Sequence, residues 1–258
     1  MKVGLFVTCL VDALRPSIGL SALELLESAG FEVEVPQSQT CCGQPAWNSG
    51  DAKSTRKLAI KWLAEFEAFD FVVIPSGSCA SMVVKHYQEV FAKDKALQSR
   101  AKALADKTFE LTDFLIKKVP AEQRKLAPRA CVQTVTYHDS CSGLRDLNIQ
   151  SQPRQLMSEQ NCTTLKEMKD SRQCCGFGGT FSIKYGEVST AICDDKCQQS
   201  IETGAQAVVL GDLGCMLNIE GRLQRVGSPL KVLHISELLT GRGPGQVETP
   251  SSRLSGSK

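Results

Sequence analysis

The order of cysteines in this chain occurs twice, and this repeat constrains the fold more than any other feature of the sequence. Each half of the 258 residues contains a lone cysteine, then an adjacent pair followed by glycine, and then a later cysteine. Corresponding cysteines lie 132, 133 and 136 positions apart for Cys9 and Cys141, Cys41 and Cys174, and Cys79 and Cys215. Self-similarity of this kind indicates a duplicated structural unit.

Strand-like apolar runs alternate with helical patterns in both halves. In the first half, strands are predicted at residues 2–8, 31–35 and 71–74, and helices at residues 17–29 and 51–68. In the second half, strands are predicted at residues 132–138 and 207–210, and helices at residues 153–160 and 187–203. Such alternation is typical of parallel sheets flanked by helices. The predicted fold class is α/β, with two duplicated, pseudo-twofold-related units, each a mostly parallel sheet flanked by helices.

The boundary between the two units is expected near residues 120–130. The segment KKVPAEQRKLAPRA has two prolines and a run of charge, which suits a connection. The end of the chain is rich in Gly, Pro and Ser, which is typical of a disordered tail. We therefore expect a first cysteine-rich domain at 1–125, a second at 126–240, and a disordered tail at 241–258.

The composition limits the classes of partner and the cellular compartment that can be expected. With 42% hydrophobic residues and a net charge of +2, the chain implies neither nucleic acid nor a membrane surface as a partner. No stretch approaches the roughly 18–20 apolar residues that span a bilayer, and Asp12 interrupts the first apolar run too early for a signal peptide. We expect a cytoplasmic protein, whose cysteines are more often ligands or redox groups than structural disulfides.

The duplicated cysteines all follow predicted strands. Ligands gather at the carboxyl ends of the strands in open parallel sheets, so each half is expected to bring four thiols to one edge. Gly43 and Gly176 allow the backbone to bend so that both members of each cysteine pair face inward. Four thiolates suit an iron–sulfur cluster and also suit a tetrahedral zinc ion.

Four cysteines fall outside the duplicated set: Cys131, Cys162, Cys193 and Cys197. Cys193 and Cys197 are four residues apart on a predicted helix and share a face, which could suit a metal. A packing role is favoured because cysteine behaves as a small apolar side chain. Cys162 lies beside the start of a predicted strand and is expected in the core.

His138 is the histidine of most interest, because it lies just before Asp139 and close to Cys141. It could donate a hydrogen bond to a cluster sulfur and raise the reduction potential, or it could have a hydrogen-bonded structural role. His86, on a predicted helix, and His234, at the end of a predicted strand, are interpreted as structural.

Four segments resemble the cysteine-rich (CCG) domain family: PSGSCASM, YHDSCSGLRDLNI, CCGFGGTFS and TGAQAVVLGDLGCMLNIEGRL. That family includes the cysteine-rich subunit of heterodisulfide reductase and the iron–sulfur subunit of glycolate oxidase. Within that family, the four segments most resemble the iron–sulfur subunits of three-protein systems that oxidise L-lactate. The resemblance covers residues 1–240. It implies up to two iron–sulfur clusters, with the ligand role carried onto Cys9, Cys41, Cys42, Cys79, Cys141, Cys174, Cys175 and Cys215.

The chain departs from the heterodisulfide reductase sequence at one point in each half. That protein ends each motif with a further cysteine and uses five cysteines for an unusual cluster, whereas this chain has Met82 and Asn218 there. A thioether is a weaker ligand than a thiolate, and an amide suits iron–sulfur chemistry poorly. An ordinary [4Fe–4S] cluster in each half is therefore the simpler expectation.

The function implied by the resemblance is that of an iron–sulfur electron-transfer subunit in a multi-protein system that oxidises L-lactate to pyruvate. Such a subunit works as part of an oxidoreductase, beside a second iron–sulfur protein and a third subunit, and is not expected to catalyse alone. No catalytic residue is identified. The alternatives are a thiol–disulfide oxidoreductase like heterodisulfide reductase, and a structural scaffold held together by two Cys₄ zinc sites.

Overall fold

Two four-stranded parallel sheets form the centre of the protein in a computed structural model that describes residues 1–124, 126 and 131–242. The strand orders are β2-β1-β3-β4 and β6-β5-β7-β8, so the second sheet repeats the topology of the first. The strands of the first sheet are β1 (Lys2–Leu5), β2 (Glu32–Glu34), β3 (Phe71–Ile74) and β4 (Thr108–Glu110). Those of the second sheet are β5 (Thr134–Tyr137), β6 (Thr164–Leu165), β7 (Ala207–Leu210) and β8 (Lys231–His234). The predicted duplicated α/β fold is confirmed.

Central strands are apolar because helices cover both faces of each sheet. In β3 and β7 the sequences are FVVI and AVVL, and nearly every residue is buried. Val3 pairs with Val33 and Phe71, and Val135 pairs with Leu165 and Ala207, so the register at the centre is the same in both halves.

The helices of the first half connect its strands. They are α1 (Cys9–Leu14), α2 (Ser17–Ser28), α3 (Gln44–Asn48), α4 (Ala52–Phe66), α5 (Gly77–Ser81), α6 (Tyr87–Val90), α7 (Lys95–Ala105) and α8 (Leu111–Lys118). A π-helical turn at Met82–His86 joins α5 to α6, and a 3₁₀ turn at Ala121–Gln123 follows α8. Asp51 caps α4 as the sequence indicates, because its Oδ1 accepts a hydrogen bond from the Ser54 amide at 3.0 Å.

The helices of the second half follow the same plan with fewer elements. They are α9 (Cys141–Leu147), α10 (Ser151–Glu159), α11 (Thr180–Lys184), α12 (Gly186–Glu202), α13 (Leu213–Arg225) and α14 (Ile235–Thr240). Within the described part of the chain, no helix combines the length and the apolar character needed to cross a bilayer.

The halves share a core. One apolar cluster contains Leu26 and Phe114 from the first half together with Leu156 and Leu238 from the second. The predicted domain boundary falls partly on residues 125 and 127–130, which lie outside the described residues, as do residues 243–258 of the predicted tail. The domain limits therefore stay a prediction.

Candidate metal centres

Four thiols of the first half converge at the carboxyl edge of the first sheet. Cys9 begins α1 directly after β1, the adjacent pair lies in the loop after β2, and Cys79 lies in α5 after β3. The Sγ atoms of Cys42 and Cys79 are 3.4 Å apart. Cys41 is within hydrogen-bonding reach of both Cys9 and Cys42. We call Cys9, Cys41, Cys42 and Cys79 the first thiol site.

The second half repeats this arrangement. Cys141 begins α9 after β5, the second pair lies in the loop after β6, and Cys215 lies in α13 after β7. Cys174 is within hydrogen-bonding reach of Cys141 and Cys175, and Cys175 is within reach of Cys215. We call Cys141, Cys174, Cys175 and Cys215 the second thiol site. The eight cysteines that the resemblance marks thus lie in two sets of four, one set in each half. Their role as ligands stays a prediction.

The glycine after each cysteine pair shapes both sites in the same way. Gly43 and Gly176 have φ of +87° and +84°, a region that L side chains rarely adopt. This turn points the Gly43 amide at Cys41 Sγ, 3.4 Å away, and the Gly176 amide at Cys174 Sγ, 3.3 Å away. The first sulfur of each pair therefore accepts a backbone hydrogen bond.

The backbone of the second cysteine in each pair is held by a different side chain in each half. The Tyr87 hydroxyl donates to the Cys42 carbonyl at 2.9 Å, and the Asn218 amide donates to the Cys175 carbonyl at 2.8 Å. Asn218 thus positions the cysteine loop of the second half through the main chain. Met82, the residue at the matching place in the first motif, is fully buried in an apolar cluster.

Crowding makes the thiols of each site unequal. Hydrogen bonds from Cys42 and Cys9 lower the pKa of Cys41 to about 3, and hydrogen bonds from Cys141 and Cys175 lower the pKa of Cys174 to about 2. The same hydrogen bonds raise the pKa of Cys9 and Cys42, which stay protonated. Metal binding to either site would require its protonated thiols to lose their protons.

The donor set of both sites fits a soft metal centre. Thiolate sulfur is the preferred ligand of zinc and of iron–sulfur clusters, and each half gathers four such groups. The second site also contains a buried polar group without a partner, since neither ring nitrogen of His138 has a hydrogen-bond partner among the described residues. The ligand atoms of His138, Cys175 and Cys215 lie within 4.8 Å of one another.

His138 is fully buried at the end of β5. Burial lowers its pKa to about 3, so the ring is neutral and has one N–H and one lone pair to offer. The sequence leaves two roles open for His138. A structural role would require a hydrogen bond to a ring nitrogen, and no described residue forms one. His234, by contrast, caps α14 by accepting a hydrogen bond from the Ser236 amide on its Nδ1 at 3.2 Å, as its structural interpretation predicts.

Cys193 and Cys197 lie on the buried face of α12, and their Sγ atoms are 4.0 Å apart. Both belong to the apolar cluster that also contains Cys175 and Cys215. Their position agrees with the packing role that the sequence favours.

The expectation that Cys162 lies in the core is wrong, because the structure joins it to Cys131 in a disulfide with Cα atoms 6.0 Å apart. Cys162 is half-buried and Cys131 is exposed. The reason lies in the sheet: Thr134 of β5 pairs in parallel with Thr164 of β6, so the residues just before these strands lie side by side. The spacing of each cysteine ahead of its strand was the signal that could have revealed the pair.

Sequence reasoning also missed Asp212, which connects the two halves. Its Oδ2 accepts a hydrogen bond from the Ser78 amide at 2.7 Å, next to Cys79, and the Gly77 amide donates to the Gly211 carbonyl at 3.1 Å. The loop that leads to Cys215 thus fixes the start of the helix that carries Cys79. The similarity of the PSGSC and GDLGC segments was a signal that these loops occupy equivalent places.

The chain belongs to the CCG cysteine-rich domain family, whose model matches residues 3–84 and 135–220. Among curated proteins it is similar to two that are named lactate utilization protein A. The protein from Geobacillus sp. (strain WCH70) is 45% identical over 94% of this chain and 100% of its own length, and that from Bacillus pumilus (strain SAFR-032) is 43% identical over 94% and 100%. A hypothetical protein from Helicobacter pylori shares the fold, with a TM-score of 0.64 and 12% identity over 92% of this chain and 48% of its own.

Proposed function

We propose that this protein holds an iron–sulfur cluster in each thiol site and carries electrons from the oxidation of L-lactate to pyruvate. The observation that carries the proposal is the convergence of two sets of four thiols, each drawn from three separate strand ends. The names of the similar proteins add the connection with lactate utilization.

The chain's own residues bind and position the clusters. Oxidation of L-lactate releases two electrons and two protons, and a cluster, which supplies one-electron steps, would pass those electrons on singly. Lactate itself would be oxidised on a partner subunit. The partners proposed are a second iron–sulfur protein and a third subunit of the same system.

The proposed compartment is the cytoplasm. Ten cysteines of the described chain are free thiols, which suits a reducing environment in which cluster ligands stay available. The proposed cluster type is [4Fe–4S] in each half, because four thiols meet at each site and the positions of Met82 and Asn218 add no further thiolate.

The test is iron, sulfide and zinc analysis with EPR on anaerobically purified protein and on single Cys→Ser variants. Cys42→Ser and Cys175→Ser each remove one buried thiol from one site, so each variant serves as the control for the other. We expect each to lose about half of the iron and sulfide, with loss of a different EPR signal. Cys197→Ser, a buried thiol outside both sites, should keep the full content.

Two results would contradict the proposal. Colourless protein that contains zinc and no sulfide would identify both sites as structural zinc sites. Iron content that neither Cys42→Ser nor Cys175→Ser changes would place the clusters elsewhere in the chain.

A further inference from the structure

The two thiol sites have different neighbours at equivalent positions of the fold. The Phe6 amide donates to the Val73 carbonyl at 3.0 Å, and the His138 amide donates to the Val209 carbonyl at 2.9 Å. These bonds occupy the same place in the two sheets, directly after β1 and β5. An apolar ring in the first half is therefore replaced by a polar ring in the second.

The long helices α4 and α12 show the same contrast. Their buried positions follow one spacing, since Thr55, Ala59, Trp62, Leu63 and Phe66 correspond, 134 residues later, to Ser189, Cys193, Lys196, Cys197 and Ser200. In the first half this face is aromatic and aliphatic. In the second half the place of Trp62 is taken by Lys196, which is fully buried.

The charge of Lys196 lies near the second thiol site without a direct ion pair. Its Nζ donates to the Asp170 carbonyl at 2.6 Å and lies 3.3 Å from Met168 Sδ, and it forms no ion pair with any described residue. Burial lowers the pKa of Lys196, and the nearby negative charges of Asp170, Cys175 and Cys174 oppose this shift and favour the charged form. A buried cation of this kind stabilises negative charge on nearby sulfurs.

His138 completes the polar side of the second site. Its ring is fully buried, its nitrogens have no partner within the described chain, and it lies within 4.8 Å of the sulfurs of Cys175 and Cys215. An unsatisfied buried donor destabilises the folded protein, and a hydrogen bond to a ligating sulfur would remove that cost. The first site has only the hydrocarbon ring of Phe6 at this place.

We propose that the two centres are unequal: His138, as a hydrogen-bond donor to the ligating sulfurs, and Lys196, as a buried cation, make the cluster of the second thiol site the more easily reduced. This rests on the proposed function. Reduction adds negative charge to a cluster, and donors and cations near its sulfurs stabilise that charge. With clusters bound, electrons would pass singly from the centre held at the first site to the centre held at the second, the first losing one electron as the second gains it.

The two thiol sites include cysteines on helices that pack against each other where the halves meet. The helices α5 and α9, which carry Cys79 and Cys141, meet at two glycines. A Cβ atom placed on Gly77 would lie only 3.2 Å from Gly143 Cα, so the two backbones approach as closely as glycine allows.

The experiment is a redox titration, followed by EPR, of the full chain loaded with iron and sulfide. The wild type should show two midpoint potentials. His138→Phe, which copies the first half, and Lys196→Met should each move the higher one to a more negative value and leave the lower one in place. Phe6→Leu, the matched control in the first half, should leave the higher one unchanged.

A measurement on the wild type covers the case in which a variant fails to assemble its second cluster. With ¹⁵N-labelled histidine, pulsed EPR should detect a histidine nitrogen coupled to the higher-potential centre and not to the other. Equal potentials in the wild type, or coupling to neither centre, would overturn this inference while leaving the proposed function standing. Protein without iron would instead contradict the proposed function.

Discussion

Arg15 of the first half and Glu237 of the second form an ion pair in which both side chains are almost completely buried. Arg15 Nε lies 2.9 Å from Glu237 Oε1, and Nη2 lies 3.0 Å from Oε2. The carboxylate also accepts a hydrogen bond from the Ser17 hydroxyl at 2.6 Å and one from the His234 amide at 2.9 Å. This network ties α2 and the loop before it to the start of α14.

Removing one partner of this pair should destabilise the protein strongly. We expect Arg15→Met to lower the free energy of unfolding by about 3–5 kcal/mol, because it leaves a buried carboxylate without its cation. Urea unfolding followed by circular dichroism measures the change. The matched control is Arg100→Met, which breaks an exposed pair with Glu67 and should cost about 0.2–1 kcal/mol. Equal losses in the two variants would mean that the buried pair does not hold the halves together.

Glu110 should make the stability of the protein depend on pH. Burial raises its pKa to about 7, against the opposing hydrogen bonds from Thr112 and Asp113. The folded state therefore binds more protons than the unfolded state between about pH 4.5 and pH 7, so stability falls as the pH rises through this window. The loss assigned to Glu110 is about 3 kcal/mol, at 1.36 kcal/mol for each pKa unit.

The comparison of wild type with Glu110→Gln isolates this effect, because glutamine can still accept the capping hydrogen bonds through its oxygen. Urea unfolding at pH 5 and pH 8 should give a smaller decrease in stability for Glu110→Gln than for the wild type. Glu122→Gln, at an exposed position, should behave as the wild type. Parallel pH profiles for wild type and Glu110→Gln would refute the assignment.

The two glycines of the cysteine loops should respond differently to alanine. Both have positive φ, which costs about 1–2 kcal/mol for an L residue. A Cβ at Gly176 would also lie 2.5 Å from the Ser189 carbonyl oxygen, whereas a Cβ at Gly43 has its nearest contact at 3.6 Å. We expect Gly176→Ala to lose the metal of the second site and Gly43→Ala to keep that of the first, as measured by metal content per chain. Equal retention in both variants would show that the second loop can move away from α12.

The sequence was sufficient for the duplicated α/β class and for the meeting of the thiols at one edge of each sheet, because both depend on local patterns. A run such as FVVI or AVVL specifies a buried strand wherever it occurs, and a parallel arrangement brings the carboxyl ends of neighbouring strands to one edge. Because the pattern occurs twice, its interpretation in one half supports the same interpretation in the other. The short strand Thr108–Glu110 escaped prediction because three residues carry too little periodicity.

Contacts between distant side chains could not be predicted in this way. The Arg15 and Glu237 side chains are separated by 222 positions, and nothing in either local pattern indicates the other. Lys196 was overlooked because a lysine in an amphipathic helix normally lies on the solvated face. Only the alignment of the buried faces of α4 and α12 shows that it occupies the position of a core tryptophan.

The replacement of Phe6 by His138 at equivalent places has a consequence for how such a protein can be built. In a homodimer of one domain, symmetry gives every equivalent position the same side chain, so both sites are chemically identical. Covalent fusion of the copies removes that constraint, and each site can then be tuned by its own mutations. A duplicated chain can thus acquire two chemically different sites, which a symmetric pair of subunits cannot.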